Sequence, residues 1–289
     1  MNFGLIVILF LLVSTLYRLG LRIFAKKYPH TAHLSMALTI TLSTIPVSLA
    51  YSIYYGGFTL NLSVIIWLQM IIAGALFALG NVAIFKANEL IDAAQTAVLG
   101  NFQTVFVVML SAIFLSERLS HVQLIGMAVL LVSATIVSVD KLTKRSLQFD
   151  RNSWYVVAGS AYFASAQIIE NHLLYTMSVA TYLVVVWVFI VLFLLIFGYK
   201  KIKIQSKVLS KRYLVESFLL GIPLAGLGVT FVLGIIATGS TSLMMGAMSY
   251  RAVTMFILAW LLLKERQKTI QKLIGSALAT IGLYLVLVM

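Results

Sequence analysis

The chain has 289 residues, a formal net charge of +13 and no cysteine. At 62% hydrophobic and only 10% charged residues it lies well outside soluble domains, which run at roughly 45–50% apolar and 25% charged. The composition therefore excludes a soluble protein. The missing cysteines exclude disulfides and thiolate metal sites, and basic residues that lie nearly all in short loops, without a stripe of interleaved aromatics, argue against nucleic acid as a partner.

Taken in chain order, stretches of about 20 mainly apolar residues predict ten spans, at 3–24, 34–54, 64–85, 93–115, 122–139, 154–174, 179–199, 214–236, 243–263 and 270–289. The first has no positive charge ahead of it and a long apolar run, so it reads as a retained helix and not as a signal peptide. Turn-forming and polar residues separate the spans, as in Lys26-Lys-Tyr-Pro-His30 and Tyr55-Gly-Gly-Phe58. The longest connector leaves five spans on each side, so we expect a first unit over residues 1–139, a connector over 140–153 and a second unit over 154–289.

The two units echo one another. VFVVMLSAIFLSER over 105–118 is answered, one fixed offset of roughly half the chain later, by VTMFILAWLLLKER over 253–266. Each is followed by a glutamine, Gln123 or Gln271, and by an Ile-Gly, 125–126 or 274–275. Half-length copies of a membrane-embedded unit are a common architecture of secondary transporters, and an odd number of spans per copy inserts the copies in opposite orientations. The connectors after the odd-numbered spans hold nearly all the lysine and arginine, which by the positive-inside bias directs both termini outwards.

These features resemble the drug/metabolite transporter superfamily, specifically its EamA-type members with ten helices in two five-helix repeats. The paired Leu115-Ser-Glu-Arg118 and Leu263-Lys-Glu-Arg266 carry the resemblance. It implies an all-α integral membrane protein of the cell membrane, built from two inverted repeats, that moves a small molecule. It also implies cytoplasmic termini, the reverse of the loop-charge reading.

In such a protein, function resides in polar groups that face the bundle interior, because exposing them to lipid is costly. Asn88, Asp92, Gln95, Thr96 and Gln103 fall at helical spacing and are expected to form one polar stripe on the fourth span. The repeat offset sets Gln103 against Arg251 and Phe102 against Tyr250. Arg251, deep in the ninth span, has the forked donors that suit a carboxylate and is the first candidate for substrate contact. Arg18 on the first span and Glu170 on the sixth are candidates for a gate or proton-responsive pair. Gln167 shares the Glu170 face with Ser160, Phe163 and Asn171, and Asn81 adds a polar group on the third span. Pro46 and Pro223 are expected kinks, Gly80 and Gly228 close-packing positions, and Met244, Met245, Met248 and Met255 an adaptable lining. Glu117, Arg118, Glu265 and Arg266 are assigned to the membrane surface.

The histidines have no metal-ligand spacing, and no phosphate-cradling loop is present, so neither a metal, a cofactor nor a catalytic residue is expected. The reading is a secondary active transporter of a small polar, amino-acid-like or other carboxylate-bearing metabolite. It works by alternating access, driven by protons or an exchanged metabolite, as a monomer or homodimer in the lipid bilayer. An integral membrane enzyme or lipid-modifying protein is the alternative, and would need a nucleophile, acid/base pair or metal cluster near one interface.

Overall fold

The computed structural model describes residues 3–28, 33–114, 120–138, 151–206, 210–238, 244, 251–262 and 269–287, with backbone alone at Arg251 and some other helical positions. The described residues are helical apart from short links. We number the helices α1 (Phe3–Lys27), α2 (His33–Leu42), α3 (Thr44–Tyr55), α4 (Val64–Leu90), α5 (Ala93–Leu99), α6 (Phe102–Phe114), α7 (His121–Ser138), α8 (Ser153–Thr176), α9 (Val179–Ser206), α10 (Lys211–Thr238), α11 (Arg251–Leu262) and α12 (Thr269–Leu287). Helices satisfy every backbone group within the segment, which the absence of water in a bilayer core demands. Among the described residues, six helical stretches are long and apolar enough to cross a membrane: Gly4–Lys27, His33–Tyr55, Val64–Leu90, Gln95–Phe114, Val179–Tyr199 and Lys211–Ala237.

Two expected spans are discontinuous. α2 and α3 meet at Ser43, because Pro46 has no N–H to return to Leu42, and the Ser43 hydroxyl donates to the Ile40 carbonyl at 2.7 Å. α5 and α6 are separated by Gly100 and Asn101, a break the apolar pattern did not announce. Pro223 lies inside the continuous helix α10. Gly56 and Gly57, at φ 72° and 81°, take the left-handed conformation that glycine adopts without a steric penalty. The loop they begin is clasped to the start of α9 by Ser178 Oγ donating to the Gly57 carbonyl at 2.5 Å and by the Thr59 N–H donating to Thr181 Oγ1 at 2.9 Å.

The helices interleave across the midpoint of the chain: α1 packs on α10, α4 on α8 and α9, α6 on α8, α2 on α9 and α10, α1 on α11, and α7 on α12. The main core runs through Tyr17, Phe24, Met36, Met70, Tyr182, Leu194 and Tyr213. Absent side chains set the closest approaches. A Cβ on Gly74 would come 2.5 Å from that of Phe189, and one on Gly221 would come 1.6 Å from Ser43 Oγ and 2.7 Å from the Ile40 carbonyl oxygen. α10 thus reaches α2 and α3 at their break.

Candidate functional site

Six helices surround a central cavity of about 120 Å³. Three of them present a stripe to it at the spacing of a helix face. α4 supplies Phe77, Asn81 and Ile84; α8 supplies Phe163, Gln167 and Glu170; α10 supplies Leu224, Leu227, Gly228 and Phe231. Tyr17 and Arg18 enter from α1 and Gln103 from α6, while Tyr182, Val186, Trp187 and Ile190 line the α9 wall. The enclosure is largely aromatic and aliphatic with a few polar groups, as in small-molecule sites.

Its two charged groups have opposite signs. Arg18 makes no hydrogen bond or ion pair among the described residues, its Nε is buried without a partner, and its guanidinium carbon stands 5.9 Å from the centre of the Tyr17 ring. Glu170 is 5% exposed and has no basic partner among the described ion pairs. Tyr182 faces its carboxyl, but the Tyr182 hydroxyl completes no hydrogen bond of ordinary geometry, and Trp187 Nε1 is likewise buried and unpartnered. The expected Arg18–Glu170 gate therefore does not exist as an ion pair in this conformation: both residues line the cavity, but they do not pair.

Two further candidates are joined directly. Gln103 Nε2 donates to Gln167 Oε1 at 2.9 Å, and both side chains are buried. Beyond this bridge a second, much smaller chamber of about 10 Å³ is lined by Arg18, Ile84, Asn88, Thr96, Ala97, Gly100, Gln103, Ser160 and Met255. It abuts the α5–α6 break.

The polar stripe expected on the fourth span is divided over three helices. Asn88 belongs to α4, where its amide donates to the Ile84 carbonyl at 2.9 Å. Asp92 lies in the link ahead of α5, and Thr96 donates to the Asp92 carbonyl at 2.9 Å. Asp92 and Gln95 do not reach the cavity. Gln95 Nε2 donates to Ser153 Oγ at 3.2 Å. Asp92 accepts from Lys272 Nζ at 2.7 Å and stands 3.6 Å from Arg22, which in turn donates to the Asn88 carbonyl. A carboxylate whose partner is 180 residues away cannot be assigned from local spacing. Tyr250 lies outside the described residues, as do the side chain of Arg251 and Glu117, Arg118, Glu265, Arg266, Met245 and Met248. Met255 lines the smaller chamber, whereas Met244 is buried against Gly234.

The charged pairs gather at one end of the bundle, beside the C-termini of α1 and α4 and the N-termini of α5, α10 and α12. Besides the Arg22–Asp92–Lys272 cluster, Lys27 and Arg212 bind Glu216 at 2.5 and 2.9 Å, and Tyr28 donates to it at 3.0 Å. Lys86 and His33 approach Glu89 at 3.0 and 3.8 Å.

Sequence reasoning missed the α9 wall. Tyr182 and Trp187 lie in the most apolar of the six spans, with a mean hydropathy of 3.0, where no polar stripe draws attention. The available signal was a buried Tyr and Trp, each with a polar group to satisfy, on one face of an aliphatic helix. Gly80 and Gly228, expected as packing positions, seat the cavity's aromatics: a Cβ on Gly80 would meet the Phe163 ring at 2.8 Å, and one on Gly228 the Trp187 ring at 3.2 Å.

Residues 4–139 match the model of the EamA-like transporter family. No curated protein matches the chain. Among 28 chains of known structure that do, one crystal structure aligns with 97% of this chain and 94% of its own at a TM-score of 0.67 and 16% identity. At that identity, the likeness is one of fold.

Proposed function

We propose that this chain, whose residues 4–139 match the model of the EamA-like transporter family, is a secondary active transporter of a small amino-acid-like metabolite. The ligand binds in the central cavity, its carboxylate towards Arg18 and its ammonium group towards Glu170. The observation that carries this reading is the pair of opposite charges lining one cavity that bind neither each other nor any other described charge. A buried ion without a partner costs several kcal/mol. A dipolar ligand satisfies both ions at once, and Phe77, Phe163, Trp187 and Phe231 enclose its apolar body. Arg18 takes the role the sequence suggested for Arg251.

The helix packing supports two inverted repeats. With spans matched at the repeat offset, α1 corresponds to α8, α2–α3 to α9, α4 to α10, α5–α6 to α11 and α7 to α12. The packing of α1 on α10 then has its counterpart in α4 on α8, that of α6 on α8 in α1 on α11, and that of α5 on α7 in α11 on α12. α2 on α9 and α7 on α12 each join an element to its own counterpart. That is the pattern of a two-fold axis through the bundle. On this reading the chain has ten spans and a multi-pass position in the cell membrane.

Alternating access then means rocking the repeats about the cavity. This conformation is closed at the end rich in lysine and arginine, the cytoplasmic end by the positive-inside bias, where Lys272 of one half holds Asp92 of the other.

A melting series tests the reading. Leucine, isopentylamine and 4-methylpentanoate share an apolar body but carry both charges, the cation alone and the anion alone. A ligand that binds the folded state raises the melting temperature according to its affinity. Leucine is expected to stabilise the protein most, with Arg18→Gln levelling it with the amine and Glu170→Gln with the acid. Equal shifts from all three in the unaltered protein would contradict the dipolar site.

A further inference from the structure

The smaller chamber is chemically distinct from the cavity it adjoins. No acidic residue lines it, and its polar groups are Arg18, Asn88, Thr96, Gln103 and Ser160. Three of these are committed: the Asn88 amide to the Ile84 carbonyl, the Thr96 hydroxyl to the Asp92 carbonyl and the Gln103 amide to Gln167. Two donors remain, Arg18 Nε and Ser160 Oγ, both buried and both without a partner.

Ser160 is the unusual one. A hydroxyl on a helix shielded from water ordinarily returns its proton to a carbonyl three or four residues back. Ser14, Thr39, Ser165, Ser217, Thr230 and Thr280 all do so. Ser160, 1% exposed, does not. Thr41, Ser48 and Ser276 share its lack of a partner, but none of them lines either cavity. A buried donor left unmade costs about 1–3 kcal/mol, and here a second one, cationic, lines the same chamber.

We propose that this chamber is a small-anion subsite, in which Arg18 and Ser160 donate to a single carboxylate oxygen, an atom of the size its space of about 10 Å³ admits. Its natural occupant is the carboxylate of the transported metabolite, inserted past the Gln103–Gln167 bridge while the apolar body stays in the larger cavity; in this the inference rests on the function proposed above. Ser160 then selects carboxylates over their amides, and a free inorganic anion such as chloride is the other source of the same chemistry.

The test uses the purified full chain and a Ser160→Ala variant, melted with sodium formate, sodium chloride, leucine or leucinamide at matched ionic strength. Without ligand, the variant is expected to melt no lower than the unaltered protein, since alanine removes an unmade donor. A shift with formate or leucine that falls by at least half in the variant, while any leucinamide shift is equal in both, establishes the carboxylate subsite. A chloride shift lost in the variant, with none from formate, establishes the subsite with an inorganic occupant. Leucine stabilising both proteins equally, with no shift from formate or chloride, overturns the subsite and leaves the transporter reading standing. No shift from any of the four overturns the subsite and the amino-acid reading together, and a variant that melts several degrees lower without ligand marks Ser160 as structural.

Discussion

Gln103 and Gln167 join the two halves of the chain through a buried 2.9 Å hydrogen bond, on the boundary between the larger cavity and the smaller chamber. A neutral amide pair at this position closes the passage without fixing a charge there. It opens at a modest cost, since a hydrogen bond of this kind contributes about 0.5–1.5 kcal/mol net.

Replacing either glutamine by alanine is expected to lower stability by about 1–3 kcal/mol, because the remaining amide is left buried and unpaired. The double variant should cost less than the sum of the two. A double-mutant cycle read by chemical unfolding checks this, with an expected coupling of about 0.5–1.5 kcal/mol.

Lys272 is 3% exposed and Asp92 30%, so the two partners are not equivalent. Asp92→Asn leaves a buried lysine beside Arg22 with no carboxylate between them, a loss of about 3 kcal/mol or more. Lys272→Gln leaves a half-solvated carboxylate that still has Arg22, and should cost clearly less. Comparing the melting temperatures of the two variants checks the order.

In the proposed mechanism the same cluster closes the basic end, so weakening it should open that end. The sequence has no cysteine, and a single Thr96→Cys in the smaller chamber provides a unique thiol. Its labelling by a membrane-impermeant maleimide from the basic face is expected to be slow in the Thr96→Cys protein and at least about tenfold faster when Lys272→Gln is added, a shift of about 1.4 kcal/mol towards the open form. Equal rates would place the barrier elsewhere.

Gly221 and Gly226 lie on the same helix and separate backbone approach from ordinary packing. A Cβ on Gly221 overlaps Ser43 and the Ile40 carbonyl, whereas one on Gly226 meets only Val13 Cγ1 at 3.3 Å. Gly221→Ala is expected to lose about 1–3 kcal/mol through forced backbone shifts, and Gly226→Ala to change stability by less than about 1 kcal/mol. Thermal unfolding of the two variants decides it.

Much of this site could be read from spacing alone. Phe163, Gln167 and Glu170 recur on one face of a helix, and Asn81 and Arg18 are polar groups in apolar surroundings. Composition and periodicity suffice to turn such residues inwards. What stayed hidden depends on distant pairing or on local backbone choice. Asp92 looked like a cavity residue until Lys272 of the last helix was found against it. Gly100 and Asn101 break a helix within a continuous apolar run. Tyr182 and Trp187 reach the cavity from a span whose apolar character points everywhere at once. The absence of an Arg18–Glu170 bond is likewise a matter of three-dimensional spacing that no sequence pattern encodes.

The most direct test of the account is exchange transport. Proteoliposomes loaded with unlabelled leucine are diluted into labelled leucine, and entry of label is compared for the unaltered protein, Arg18→Gln and Glu170→Gln. Exchange by the unaltered protein is expected, with a loss of at least about tenfold in each variant, since removing the partner of a desolvated charge typically costs about 2–5 kcal/mol. Exchange at undiminished rates in both folded variants would contradict the account and move the substrate's charges away from this cavity.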